Sequence, residues 1–131
     1  MRAFLDTNII LYSVLADDLQ KADKAILLMA TGSCISVQVL NELISVLRGR
    51  KKWDWVDVSL VLASTKVVLE VADLTLESHD LAVTYAARYG YTIYDANILA
   101  SAKLAGCDRL WTEDMQHGQV IDGVEIVNPF L

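Results

Sequence analysis

Between Arg2 and Val127 the sequence alternates short apolar runs with longer segments of helical period, and this rhythm restricts the fold more than any other feature. The runs Arg2–Leu5, Cys34–Ser36, Val67–Val71, Arg109–Thr112 and Val124–Val127 are short and mostly apolar, as strands buried on both faces are. Helical patterns fill the gaps: Leu19–Ala30 closed by Gly32, Val37–Arg48 after Ser36, Asp54–Ser64, Leu76–Tyr89 between Thr75 and Gly90, and Ile93–Ala105 closed by Gly106. Such alternation predicts an α/β fold, a mostly parallel sheet with helices on both faces. In such folds the functional crevice lies beyond the carboxyl ends of the strands, where strand order reverses.

The 131 residues give room for one domain, 1–131, and not for two. No proline precedes Pro129, and no repeat or low-complexity tract marks a boundary. An apolar fraction of 54% with a mean hydropathy of +0.37 predicts a full core and excludes disorder. Cys34 and Cys107 lie far apart, with no CxxC and no His at ligand spacing, so buried free thiols are expected. Asp6 and Asn8 interrupt the first apolar run, no small-residue cleavage site follows, and no stretch reaches the roughly 20 apolar residues of a membrane span. The expected location is cytoplasmic, with no membrane contact. The net charge of -6 argues, taken as bulk charge, against a chain that grips polyanions.

Four acids stand where that fold would place a site. Asp6 directly follows the first strand and opens the next helix, a position that helix capping alone would explain. Asp95 shares its helix face with Ile98, Leu99 and Ala102, so its carboxylate points inward. Burying it unpaired costs several kcal/mol, whereas the first-turn dipole returns only about 0.3 to 2 kcal/mol. Something cationic is therefore expected nearby, either a buried Arg or Lys or a metal. Glu42 borders the apolar arc of its helix, with Gln38, Asn41, Ser45 and Arg48 on the solvent side; a surface ion pair would also account for it. Asp114 follows the fourth strand. Its neighbour Glu113 would point the other way, and Thr112, on Asp114's side, can hydrogen-bond it. The choice between the two acids stays open at this point.

Together these acids set four carboxylates at one rim of the sheet. Like charges so close are either partly protonated or held by hard divalent cations, and an oxygen-only donor set suits Mg²⁺ or Mn²⁺ rather than zinc. Metal-assisted phosphodiester hydrolysis is the natural chemistry of such a set.

At Phe4-Leu5-Asp6-Thr7-Asn8, Asn41-Glu42, Tyr94-Asp95-Ala96 through Leu99-Ala100, Thr112-Glu113-Asp114 and Ile126-Val127-Asn128-Pro129-Phe130 the sequence resembles a PIN domain. The likeness is specifically to the VapC-type toxin ribonucleases of type II toxin-antitoxin systems in bacteria and archaea. It runs nearly end to end and implies a Rossmann-like αβα sandwich with a five-stranded parallel sheet. It further implies an Mg²⁺- or Mn²⁺-dependent endoribonuclease whose catalytic and metal-binding quartet is Asp6, Glu42, Asp95 and Asp114. Asn8 and Thr112 match supporting positions. Asp6, Asp95 and Asp114 would hold the ion directly or through water, with Glu42 completing the site or helping to hold a second ion. Water would attack phosphorus in line without a side-chain nucleophile, leaving 5′-phosphate and 3′-hydroxyl ends. An RNA substrate, a cognate antitoxin whose carboxyl-terminal segment covers the acidic pocket, and a toxin homodimer are also implied.

Arg48, Arg50, Lys51 and Lys52, followed by Trp53 and Trp55, read either as an RNA-contact patch or as a helix terminus whose bases offset the dipole. His117 beside Gly118 reads as structural. A haloacid-dehalogenase-like phosphatase would carry a second Asp where Asn8 stands, and a phospho-receiver would need an acidic pair and a lysine that are not seen. A PIN-like binding module without catalytic activity is the remaining rival, and the intact quartet argues against it. Without the quartet, thirteen acids face eleven bases, so the excess acidity is largely the candidate site itself.

Overall fold

Phe4 and Leu5 carry no solvent exposure, and the strand they form is the axis of the molecule. The computed structural model describes residues 2–131, so of the expected domain only Met1 lies outside the described residues. The strands are β1 (Ala3–Leu5), β2 (Cys34–Ser36), β3 (Glu70–Ala72), β4 (Arg109–Trp111), β5 (Val120–Ile121) and β6 (Val124–Val127). They lie in the order β3-β2-β1-β4-β6-β5. Five are parallel and β5 runs antiparallel to β6. The chain leaves β1 toward β2 on one side and later returns to β4 on the other, so the strand order reverses at β1.

The sheet therefore has six strands where five were expected. The added one is half of a hairpin turning at Asp122 (φ 49°) and Gly123 (φ 82°), the positive-φ pair that a two-residue turn needs. The third strand also starts later than Val67–Val71, because helix continues through Val68.

The helices are α1 (Thr7–Leu15), α2 (Leu19–Met29), α3 (Val37–Ile44), α4 (Trp55–Val68), α5 (Leu76–Tyr89) and α6 (Ile93–Leu104). Between α3 and α4 the chain does not stop at Arg48 but continues as a π-wound turn, Ser45–Arg50. One core joins both faces of the sheet: Ile9, Ile10 and Leu43 pack with Ile35, Leu110 and Ile126 and with Ile98 and Leu99 of α6. Cys34 and Cys107 are free and buried in it, their sulfurs 3.2 Å apart. None of the described helices is long and apolar enough to cross a membrane.

Candidate active site

The carboxyl edge of the sheet at β1 is where the four acids meet. Asp6, Glu42, Asp95 and Asp114 all line one depression of about 270 Å³, together with Thr7, Asn8, Val46 and Arg50. Each arrives from a different segment: the exit of β1, the middle of α3, the first turn of α6 and the exit of β4. Because α6 must run back to feed β4 at its amino end, its own amino end falls at the carboxyl edge, and Asp95 with it.

Asp6 is 4% exposed and serves two ends. Its Oδ1 accepts the Thr7 N–H at 2.7 Å and so caps α1, while its Oδ2 accepts the Thr112 hydroxyl at 2.7 Å. Its backbone N–H donates to the Trp111 carbonyl at 3.0 Å, which fixes β1 against β4 at this edge. Burial pushes the carboxyl up to about 7; the two hydrogen bonds oppose that shift, and the charges of Glu42 and Asp95 add to it.

Glu42 is held at both oxygens. The Thr7 hydroxyl donates to Oε2 at 2.6 Å and the Gln38 amide to Oε1 at 2.8 Å, the same amide also reaching the Tyr94 carbonyl at 2.9 Å. Gln38 is thus half-buried beside the site, not on the solvent side where the helical wheel put it. Asp95 is half-buried, its backbone N–H capped by the Thr92 hydroxyl at 3.2 Å. Burial raises its carboxyl above the ordinary range, and the charges of Asp114 and Glu42 push the same way.

Asp114, not Glu113, faces the depression. The Asn8 amide donates to its Oδ2 at 2.8 Å. Glu113 turns away to Lys21 at 2.7 Å and to the Tyr12 hydroxyl at 2.6 Å. Burial would raise Glu113, but those two bonds outweigh it and hold the carboxyl below its usual range. Thr112 differs from its expected contact: its hydroxyl binds the Asp6 carboxylate and accepts the Asp114 backbone N–H at 3.1 Å, rather than bonding the Asp114 side chain.

Thr7 and Gln38 are supports that the sequence reading passed over. Thr7 adjoins Asp6, and Gln38 precedes Glu42 by four residues, the spacing that stacks two side chains on one helix face. His117 is occupied structurally, its Nδ1 accepting the Asn128 N–H at 3.0 Å. The basic run divides: Arg50 lines the acid depression, whereas Lys52 lines another with Asp54 and Asp57.

No ion pair among the described residues involves any of the four acids; the pairs are Arg2–Glu70, Lys21–Glu113, Lys51–Asp17 and Arg109–Glu125. Asn8 Oδ1 is buried there without a hydrogen-bond partner, a condition that ordinarily costs about 1 to 3 kcal/mol. Crowded carboxylates and an orphaned amide oxygen form a hard, oxygen-only donor set that fits Mg²⁺ or Mn²⁺. Among the described residues no three His, Cys, Asp or Glu side chains form a ready-made metal shell.

The profile of the PIN domain family matches residues 3–121 of the chain. Solved structures share its fold. A toxin-antitoxin complex from Klebsiella pneumoniae superposes with a TM-score of 0.73 at 24% identity, over 97% of each chain. VapBC-1 from nontypeable Haemophilus influenzae gives 0.72 at 17% identity over 100% of both chains. VapC20 of Mycobacterium tuberculosis, described as a Sarcin-Ricin loop cleaving toxin, gives 0.65 at 22% identity over 86% of this chain and 91% of that one. No curated protein sequence matches the chain.

Proposed function

The chain belongs to the PIN domain family, and from that premise we propose that it is a divalent-metal-dependent endoribonuclease, the toxin of a type II toxin-antitoxin pair. One observation carries the reading: four carboxylates from four segments line a single depression, and no basic side chain pairs with any of them among the described residues. A buried salt bridge, the other explanation of an inward Asp95, has no partner in this arrangement.

Asp6, Glu42, Asp95 and Asp114 would hold Mg²⁺ or Mn²⁺. When bound, such an ion neutralises charge on the phosphoryl oxygens and acidifies a water for in-line attack. The protein's part is orientation. Thr7 N–H and Thr112 fix both oxygens of Asp6, Thr7 Oγ1 and Gln38 fix both oxygens of Glu42, and Asn8 fixes Asp114. Each anchored oxygen keeps a lone pair for a further ligand, and second partners of this kind set ligand geometry in metal sites. Ser45 is the one Ser, Cys or Lys among the residues lining the depression, and among the described residues its hydroxyl makes no hydrogen bond to any of the four carboxylates, the contact that would activate it as a nucleophile.

A protein partner is supported by an apolar groove of about 360 Å³, whose walls include Val14, Met29, Leu60, Val61 and Val68. An antitoxin segment is the proposed partner, and a homodimer the proposed assembly, in the cytoplasm. A fluorogenic RNA panel tests the activity, with Mg²⁺ or EDTA and an Asp6→Ala protein purified in parallel. Cleavage in Mg²⁺, lost in EDTA and in the variant, and leaving 5′-phosphate ends, is expected. Activity that survives the chelator would refute the metal site, and no cleavage of any RNA would leave a non-catalytic binding module.

A further inference from the structure

The four bases after α3 occupy different environments. Arg48 stacks with its guanidinium 4.8 Å from the Trp55 ring centre and donates to the Trp53 carbonyl at 3.0 Å. Lys51 faces Asp17 at 4.0 Å, and Lys52 lines a separate depression. Only Arg50 among them lines the acid depression, and its guanidinium is exposed and takes part in no ion pair among the described residues.

The π-wound turn puts it there. In Ser45–Arg50 the backbone bonds skip to the fifth residue, and the Lys51 N–H continues the pattern to the Val46 carbonyl at 3.1 Å. Uninterrupted α winding, about 100° per residue, would leave Arg50 about 80° past Glu42 around the helix. The wider winding over Ser45–Arg50, roughly 80° per residue, brings Arg50 to roughly 40° on the other side of the Glu42 line, while Val46 lies within roughly 40° of that line under either winding. Such turns recur at functional sites because they re-aim one side chain without ending the helix.

The acid depression also does not end at Arg50. Asn8, Leu11, Val46 and Arg50 are common to it and to a second depression of about 350 Å³ that lies between α1 and the π turn. Leu11, Tyr12, Leu15 and Val46 give this second hollow a largely apolar floor; Arg50 stands on its wall, and Lys51, facing Asp17, lines it as well. Asp17 and Asp18 close its far end, where a longer run of phosphates would be repelled.

We propose that the second depression is a nucleotide subsite: Arg50 holds the phosphate next to the one being cut, and the base of that nucleotide packs on Leu11, Leu15 and Val46. The proposal rests on the ribonuclease reading and adds to it where the strand lies. A guanidinium suits it because it grips phosphate with two parallel hydrogen bonds. The ligand is single-stranded or looped RNA, since only an unpaired base can turn its face onto a protein surface.

The test uses Arg50→Ala, Arg50→Lys and, as a control for lost charge, Lys66→Ala on the exposed side of α4. Thermal melting first establishes that each variant is folded. Anisotropy of a fluorescein-labelled single-stranded RNA in EDTA, at several salt concentrations, reads binding without cleavage. Steady-state cleavage in Mg²⁺ reads KM and kcat. Arg50→Ala is expected to weaken metal-free binding about tenfold and to flatten the salt slope by about 0.7. It should raise KM about tenfold while kcat stays within about threefold, with part of the loss restored by Arg50→Lys. Binding by Arg50→Ala equal to that of Lys66→Ala, or a fall in kcat at unchanged KM, would overturn the subsite. If the wild type binds RNA through Arg50 but does not cut it, the ribonuclease reading fails, the subsite as defined falls with it, and what stands is a phosphate contact at Arg50 in a non-cutting RNA-binding site.

Discussion

Asp6 is a buried carboxyl whose charge either a proton or a bound cation can neutralise. Its carboxyl is raised from 3.8 to about 7, chiefly by burial. The folded metal-free protein therefore keeps a proton that the unfolded chain has released, so the stability from this group is full below about pH 4 and is lost as pH rises through 7. Glu113 has the opposite sign, but its depressed carboxyl matters only below its ordinary 4.5. In EDTA the wild type should melt higher at pH 5 than at pH 7.5. Asp6→Asn should flatten that difference and melt above the wild type at pH 7.5, and Mg²⁺ should raise the wild type alone. A profile unchanged by Asp6→Asn would contradict the assignment. The choice between Glu113 and Asp114 was not fully legible in the sequence, because what draws Glu113 away is Lys21, 92 positions distant. Glu113→Ala is expected to keep RNA cleavage within about threefold, whereas Asp114→Ala, or loss of its Asn8 support, should cost about 10- to 100-fold. Kinetics of the two single variants decide between them; equal losses would show that the exit of β4 contributes as a unit.

At the level of elements, what the sequence made readable was whatever local chemistry settles. The apolar runs and caps placed β1, β2, β4 and β6 and five helices to within a few residues. Val67 and Val68 were misread because β-branched residues favour strands, yet α4 runs through both, with Val67 86% exposed. The Asp122-Gly123 turn was readable and was passed over; it makes β5. The π turn was not readable, since nothing in Ser45–Arg50 marks one extra residue per turn. Two helix starts give a stability contrast. Thr75 begins α5 with a reciprocal capping box to Ser78, while Ser36 begins α3 with no side-chain cap bond and a buried, unpartnered hydroxyl. Thr75→Ala should cost about 1 kcal/mol and Ser36→Ala less than about 0.5 kcal/mol by urea unfolding. A larger loss at Ser36 would mean that its hydroxyl has a partner.

For the whole molecule, net charge misleads when it is read without position. The chain carries -6, yet the acids that create most of that excess gather at one edge of the sheet beside an exposed arginine. A nucleic-acid enzyme can be acidic if its acids are the site and its few bases border it. Apolar side chains are exposed on α2 and α4, including Ile26, Leu27, Val56, Leu60 and Val67, and Leu60 also lines the apolar groove proposed for a partner. Light scattering should report a dimer, and a monomer at all concentrations would count against the proposed assembly. The four carboxylates are proposed to form one metal-dependent cutting site. Its most direct test is cleavage of one RNA substrate in Mg²⁺ by the wild type and by Asp95→Asn, which removes one charge and almost no volume. The expected result is a rate at least about 100-fold lower for the variant with RNA binding in EDTA unchanged; a variant that cuts at the wild-type rate would show that Asp95 has no part in the cutting site.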